Sequence, residues 1–257
     1  MQFNDSNMTT ATEALIDTEW FLQYVNETKQ PLIHFWQTEP TVILGMKDHR
    51  LPNLSQGLNF IESNDFQTVL RSSGGLAVVS DPGIINISLF IPQQSSTISI
   101  DDAYEFMKQW TEKALNCTIQ TGEITHSYCP GTYDLSVGQQ KIAGMSQRRF
   151  QDGIVVMMYL GVNGNQVDRS KLVQTFYQQS QAGEDFPEVH LDSMTTLEAL
   201  HHPLTTISEV KKAFLACVPE LSADDDLQQW TQSEAARHQL EKLQQRFQMR
   251  QRLLKEE

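Results

Sequence analysis

Three stretches of the chain carry residue types and spacings that can do chemistry. The first is Ser127-Tyr-Cys-Pro-Gly-Thr-Tyr-Asp134. Pro130 and Gly131 set Cys129 on a turn, where a side chain can be presented to a ligand. A thiolate is a strong nucleophile once a cation or a helix N-terminus favours it. Lys141 is the best local cation, on the return strand of an expected hairpin that can bring its ammonium beside the sulfur. The plainer reading is a buried small hydrophobe, which is what most free cysteines are, and the residues alone favour it while leaving the nucleophile open. His126 is close enough in sequence to act as a base, although a loop histidine with an ordinary hydrogen bond is simpler. Cys117 and Cys217 stand in apolar helical contexts and read as core.

The second stretch is Arg71-Ser-Ser-Gly-Gly-Leu-Ala-Val78. Paired glycines between extended pieces let a backbone approach an acyl chain or a phosphate, but on spacing alone a bulge or bend is favoured. The third is Arg148-Arg149, after Gly144-Met-Ser-Gln147. It suits a carboxylate or a partner's acidic patch, and equally a solvated strand end. The seven histidines are scattered, and neither they nor the aspartates show metal-ligand spacing, so no metal site is expected.

The rest of the composition narrows the class. The chain has 257 residues, 39% of them hydrophobic, enough for a sizeable core. With 32 acidic against 19 basic residues the net charge is −13, which argues against nucleic acid and against an anionic membrane surface. Three cysteines without a CxxC pair fit no disulfide framework and suit a reducing cytosol. No apolar run approaches the ~20 residues that cross a bilayer. The opening MQFNDSNMTT has neither the basic nor the apolar part of a secretory signal, so a cytoplasmic location is expected.

These candidate residues need a scaffold. Thr10-Ala-Thr-Glu13 has capping-box spacing and predicts a helix to about Asn26. Strands are expected at Leu32–Trp36 and Thr41–Leu44, separated by Glu39-Pro40, and then at Val69–Arg71, Ala77–Val79 and Ile84–Ile91. Ser99 opens a helix whose Ala103, Met107, Trp110 and Ala114 share one face. Tyr133–Val137 and Lys141–Ser146 form the hairpin, Ile154–Leu160 reads as a buried strand, and Ser170–Tyr177 as a helix after the Asn163-Gly-Asn165 turn. The order predicts an α+β fold, a mixed β-sheet with flanking helices. From Asp224 the chain turns Gln-, Arg- and Glu-rich, with Leu240, Leu243, Phe247 and Leu254 at helical spacing. That predicts one long amphipathic helix, its acidic start suiting the positive end, packed on the body or on a second subunit. The expected division is residues 1–220 for the main domain and 221–257 for this extension.

Several motifs also occur together in a familiar order. Leu44-Gly45, Arg71-x-Ser73-Gly74-Gly75-x-Ala77-Val78 and Asp81-x-Gly83-x-x-Asn86-x-Ser88 resemble the catalytic domain of lipoate–protein and biotin ligases. Lys141-Ile-Ala-Gly144-x-Ser146-Gln147 resembles that superfamily's lysine segment. Ser127–Gly131, Asp134-Leu-Ser136 and Ser146–Arg149 narrow the resemblance to the octanoyl-[glycine cleavage H protein]:protein N-octanoyltransferase family, over about Leu32 to Val218. Departures from the ligases are informative. Leu76 replaces their third glycine, Val79-Ser80 their Tyr-His, and Cys129 stands where they usually lack cysteine. The segment from Leu221 is too short for the accessory domain that many of them carry.

The resemblance implies acyl transfer without nucleotide or other cofactor. It implies octanoylated glycine cleavage H protein as donor and lipoyl domains of 2-oxoacid dehydrogenases as acceptors. Cys129 would be the nucleophile and Lys141 its electrostatic and proton-carrying partner. Arg71, Ser73, Gly74, Gly75, Ala77, Val78 and Gly144 would hold the acyl chain, and Arg148 and Arg149 the protein partner. Such carriers are typically acidic, as this chain is, so a local basic patch is required, with Lys47, Arg50, Arg71, Arg148 and Arg149 as candidates. Two rivals remain: the same transfer from octanoyl-acyl carrier protein, and an acyl- or carrier-binding protein without turnover. An ATP-dependent ligase ranks third.

Overall fold

The computed structural model describes residues 1–93, 97–220 and 225–255. The Thr10 signal sets the first helix. Thr10 Oγ1 accepts from the Glu13 amide at 3.1 Å, and the Glu13 carboxylate accepts from the Thr10 amide at 3.2 Å. Helix α1 (Ala11–Thr28) starts there, after a strand β1 (Gln2–Thr9) whose polar sequence carries no alternation. Then follow β2 (Leu32–Thr38), β3 (Thr41–Leu44), α2 (Leu54–Ser63), β4 (Gln67–Leu70), β5 (Val78–Ser80) and β6 (Ile84–Pro92). Ser99 caps α3 (Ile100–Leu115) with a second capping box, closed by Asp102. The strands β7 (Gln120–Thr121), β8 (Leu135–Val137), β9 (Gln140–Phe150) and β10 (Gly153–Gly161) precede α4 (Gln166–Gln179) and α5 (Ile207–Ala216).

The strands form a seven-stranded mixed sheet, β1-β2-β6-β10-β9-β8-β7, and a three-stranded sheet, β4-β3-β5. Only β1–β2 runs parallel in the larger sheet. Its central strands are buried on both faces, which is why Ile84–Phe90 reads as an almost continuous apolar run. Ile33 and Phe35 pack with Ile87 and Met107 on the α3 and α5 side, while Leu32, Trp36 and Phe90 pack with α1 and the small sheet on the other. Among the described residues, no helix is long and apolar enough to cross a membrane.

Two expectations need correction. Helix α4 begins at Gln166 rather than Ser170, because the Asn165 side chain accepts from the amides of Val167 and Asp168 and starts the helix a turn earlier. The C-terminal segment is two helices, α6 (Asp225–Gln232) and α7 (Glu234–Gln251), not one. Ser233 is extended, and its hydroxyl accepts from the Ala236 amide at 3.2 Å, so it caps a new helix in mid-segment. The extension packs on the body, with Leu243 and Phe247 buried and Trp20 Nε1 donating to Ala236 O at 3.0 Å. Asp224, at the head of the acidic run, and the expected boundary beside Leu221 lie outside the described residues.

His34 is fully buried in β2, with Nε2 3.1 Å from Ser6 Oγ. Burial, with the Lys211 charge second, pushes its pKa down to about 3. An unfolded histidine takes up a proton below about pH 6.5 and the folded one does not, so acid favours unfolding. Replacing His34 with Gln is expected to recover about 2 kcal/mol of the stability lost between pH 6.5 and 5. Urea unfolding of both proteins at the two pH values checks this, and equal pH slopes would contradict it.

Candidate active site

The β8–β9 hairpin turns at Gly138, whose φ of +64° suits glycine, and returns Lys141 beneath the Ser127–Asp134 loop. Lys141 is completely buried. Its ammonium is 2.8 Å from Asp134 Oδ1 and donates to Cys129 O at 2.8 Å, Ser127 Oγ at 3.2 Å and Tyr128 O at 3.3 Å. Asp134 Oδ2 accepts from the amides of Gly131 and Ile124 at 3.1 and 3.3 Å. Burial raises the Asp134 carboxyl above its ordinary pKa, with Lys141 pulling the other way. One buried ion pair thus pins both ends of the loop that carries the cysteine.

That grip accounts for an unusual backbone. Cys129 has φ +51°, the left-handed region that non-glycine residues rarely occupy. Its half-buried sulfur faces the Arg71–Val78 stretch: Leu76 N donates to Sγ at 3.3 Å and Arg71 Nη2 at 3.6 Å. The cation in contact with the sulfur is therefore Arg71, whereas Lys141 holds the carbonyl of Cys129. The Arg71 guanidinium also donates to Gly74 O and Leu76 O, which folds the loop over the sulfur.

The two glycines of that loop differ. Gly75 has φ +87°, and a Cβ there would lie 2.7 Å from Arg71 Nη2 and 3.1 Å from the sulfur. Gly74 faces open space. Gly45 is equally constrained, since its Cβ would meet Gly75 O at 2.0 Å. Asp48 accepts from Gly45 N at 2.7 Å and from Tyr177 OH at 3.0 Å, and Tyr177 OH accepts from Ala77 N at 3.0 Å. This chain fixes both sides of the loop, and burial pushes the Asp48 carboxyl up to about 6. If Cys129 takes up an acyl group, as the resemblance implies, Gly75→Ala is expected to slow that loading about 10²-fold, the scale of a 1 Å misplacement, with Gly74→Ala near wild type. Single-turnover loading compares them, and equal effects would contradict this account of the loop.

The remaining sequence candidates separate. Ser73 is half-exposed at the loop, while Ala77 and Val78 are buried in the core behind it. Gly144 pairs across the sheet with Tyr159, whose ring fills the space a Cβ would need, and Tyr159 lies 5.7 Å from the Lys141 ammonium. Arg148 and Arg149 are not brought together, because neighbours on a strand face opposite ways. Arg148 donates to Ser72 Oγ at 2.6 Å, and Arg149 donates to Ile98 O and Ser99 O at the start of α3. Lys47 is tied to Asp185 O and lies over the Phe186 ring. His126 stacks on His190 at 3.8 Å and meets Glu188 O, so its partners are on the 188–190 segment rather than at the sulfur. His126, Glu188 and His190 are all exposed, and their ligand atoms lie within 4.8 Å of one another, a grouping that spacing concealed.

Sequence reasoning did not single out Asp48, Tyr159 or Tyr177, and it noted Asp134 only within a motif. Asp48 and Tyr177 lie far apart in the chain and meet only through the fold. Asp134 had a local signal, since it stands just before the strand that pairs with Lys141's.

Comparison with known proteins identifies the family. The family described as the lipoyl protein ligase A/B catalytic domain matches residues 11–218. The octanoyl-[GcvH]:protein N-octanoyltransferase of Oceanobacillus iheyensis is 38% identical over 221 residues, covering 83% of this chain and 79% of that one. The protein of the same name from Staphylococcus aureus is 38% identical, covering 80% and 77%. Among solved structures, a lipoate-protein ligase A bound with ATP superposes with a TM-score of 0.68 at 16% identity, over 95% of each chain, which shows the shared fold. The chain belongs to the lipoyl protein ligase A/B catalytic-domain family, among the octanoyl-[GcvH]:protein N-octanoyltransferases.

Proposed function

We propose that the chain moves an octanoyl group from octanoyl-lysine of the glycine cleavage H protein to the lipoyl-domain lysine of 2-oxoacid dehydrogenases, by way of a Cys129 thioester. The observation that carries this is the sulfur itself, set on a left-handed turn with a guanidinium and a backbone amide aimed at it. The Cys129 thiolate attacks the amide carbonyl. The C–N bond breaks, and the H-protein lysine leaves as an amine after gaining a proton. The acceptor lysine then attacks the thioester, the C–S bond breaks, and the thiolate returns as the acceptor nitrogen loses its proton. An amide replaces an amide, so no nucleotide is needed.

Lys141, fully buried and bonded to the Cys129 carbonyl, keeps Cys129 in its backbone conformation, and the proton that the Cys129 thiol gives up goes to the departing amine. Leu76 N and Arg71, the two donors at the sulfur, serve the oxygen that develops on the carbon bonded to it. Burial at ~0.8 kcal/mol per CH₂ makes the octanoyl chain a substantial anchor beside Leu76 and Val78. Unpaired cysteines suit work in the cytosol. The names of the curated relatives support the H protein as donor. Offering octanoylated H protein and octanoyl-acyl carrier protein separately tests this. Transfer from the H protein at least about 10²-fold faster is expected, a gap of roughly 2.7 kcal/mol in transition-state binding. The reverse preference would favour the acyl-carrier-protein reading, and transfer from neither would support a binding protein.

A further inference from the structure

Building on that reading, we infer that the groove between α1, β9 and α7 is where an acidic face of the acyl-bearing carrier protein docks, with the C-terminal helix supplying most of the charge. The groove, about 270 Å³, is lined by Glu19, Arg148, Phe150, Lys242 and Arg246 among others. Glu19 is taken: Arg148 lies 3.1 Å from it and Arg250 3.5 Å. Among the described residues, Lys242 and Arg246 have no carboxylate within 4 Å.

Lys242, Arg246 and Arg250 follow one another four residues apart, along one line of α7. Like charges at this spacing weaken a helix; Arg250 is accounted for by Glu19 and by its place in the last turn, whereas folding gives no such reason for Lys242 and Arg246. In a chain of net charge −13 it reverses the average sign of the surface. Phe150, 43% exposed, adds a large apolar side chain within a cationic rim, the composition of a protein-binding centre. A nucleic-acid duplex is a poorer occupant, because its charge runs on past the patch over the surrounding acidic surface, whereas the acidic face of a compact protein can be confined to the patch.

The groove is also wired to the sulfur. Ser72 Oγ donates to Glu19 at 2.7 Å and accepts from Arg148 at 2.6 Å, and its chain neighbour Arg71 touches Sγ. Gln251 bonds both the amide and the carbonyl of Leu70 at 2.8 Å, clamping the strand that leads into this loop. A carrier seated on α7 therefore lies beside the loop that covers Cys129.

The test is equilibrium binding of the full chain to octanoylated H protein at low and moderate salt, alongside loading of Cys129 by p-nitrophenyl octanoate. The K242E/R246E double variant is expected to raise Kd and KM for the carrier about tenfold or more and to flatten the salt dependence. Loading from the small ester should stay within twofold of wild type, and K242R/R246K should bind as wild type does. An unchanged Kd, a loss shared by the conservative variant, or equal loss of ester loading would overturn the proposal. So would wild-type binding of an unrelated DNA duplex as tight as binding of the carrier. Because binding is read without turnover, a salt-sensitive Kd weakened by the charge reversal would support docking even if Cys129 never acquired an acyl group.

Discussion

Cys129→Ala is expected to abolish the acyl adduct and to lower transfer by about 10³–10⁶-fold, the range for removing a nucleophile from an otherwise intact site. The same position makes a second, structural prediction. With φ at +51°, alanine keeps the backbone strain and glycine relieves it. Cys129→Gly should therefore unfold at a denaturant concentration equal to or above that of Cys129→Ala, while being just as inactive. Serine at this position retains a poor nucleophile and should keep far less than a tenth of wild-type turnover. Turnover assays and urea titrations of the three variants check both halves. Substantial transfer by the alanine variant would remove the sulfur from the mechanism.

The second large effect concerns the ion pair beneath the cysteine. Lys141 and Asp134 are 0% and 2% exposed, so removing one leaves the other charged in the interior. Lys141→Met is expected to cost about 3–5 kcal/mol, a large fraction of a typical folding free energy, and to eliminate transfer as the Ser127–Cys129 turn loses its four-way anchor. The pH dependence has a definite sign. Burial already raises the Asp134 carboxyl, and loss of the ammonium raises it further. The folded variant then takes up a proton more readily than the unfolded chain, so its stability rises as pH falls from 7 to 5. A double variant that also neutralises Asp134 should cost less than the sum of the single changes. Denaturant unfolding at the two pH values measures this, and a loss below about 1 kcal/mol would contradict the anchoring role.

Much of the scaffold was legible because local chemistry and tertiary packing agree there. The capping boxes at Thr10 and Ser99 both form, and the apolar runs of β6 and β10 are the sheet centre. The hairpin that carries Lys141 was readable from Gly138 and its flanking strands. What failed lacked a local signature. The polar strand β1 exists because β2 offers it a parallel edge, and α2 is a short helix with only Gly57 and Ile61 buried. The break at Ser233 is a serine cap within a sequence that otherwise suits continuous helix. In the site, the turn and the lysine were found, but the sulfur's own partners come from a loop more than fifty residues upstream. The pairing of Arg148 with Arg149 could have been refused in advance, because strand geometry alone sends them to opposite faces. The expected basic patch comprised Lys47, Arg50, Arg71, Arg148 and Arg149, whereas the groove that holds Arg148 takes its further cations, Lys242 and Arg246, from α7 at the far end of the sequence.

The central claim is that one sulfur briefly holds the octanoyl group between two proteins. Intact mass spectrometry of the chain after mixing with octanoylated H protein reads this directly. The expected result is an added octanoyl mass that maps to Cys129, is removed by neutral hydroxylamine, and passes to a lipoyl domain on its addition. Transfer that proceeds with no such adduct, or with an adduct on another residue that survives hydroxylamine, would contradict it.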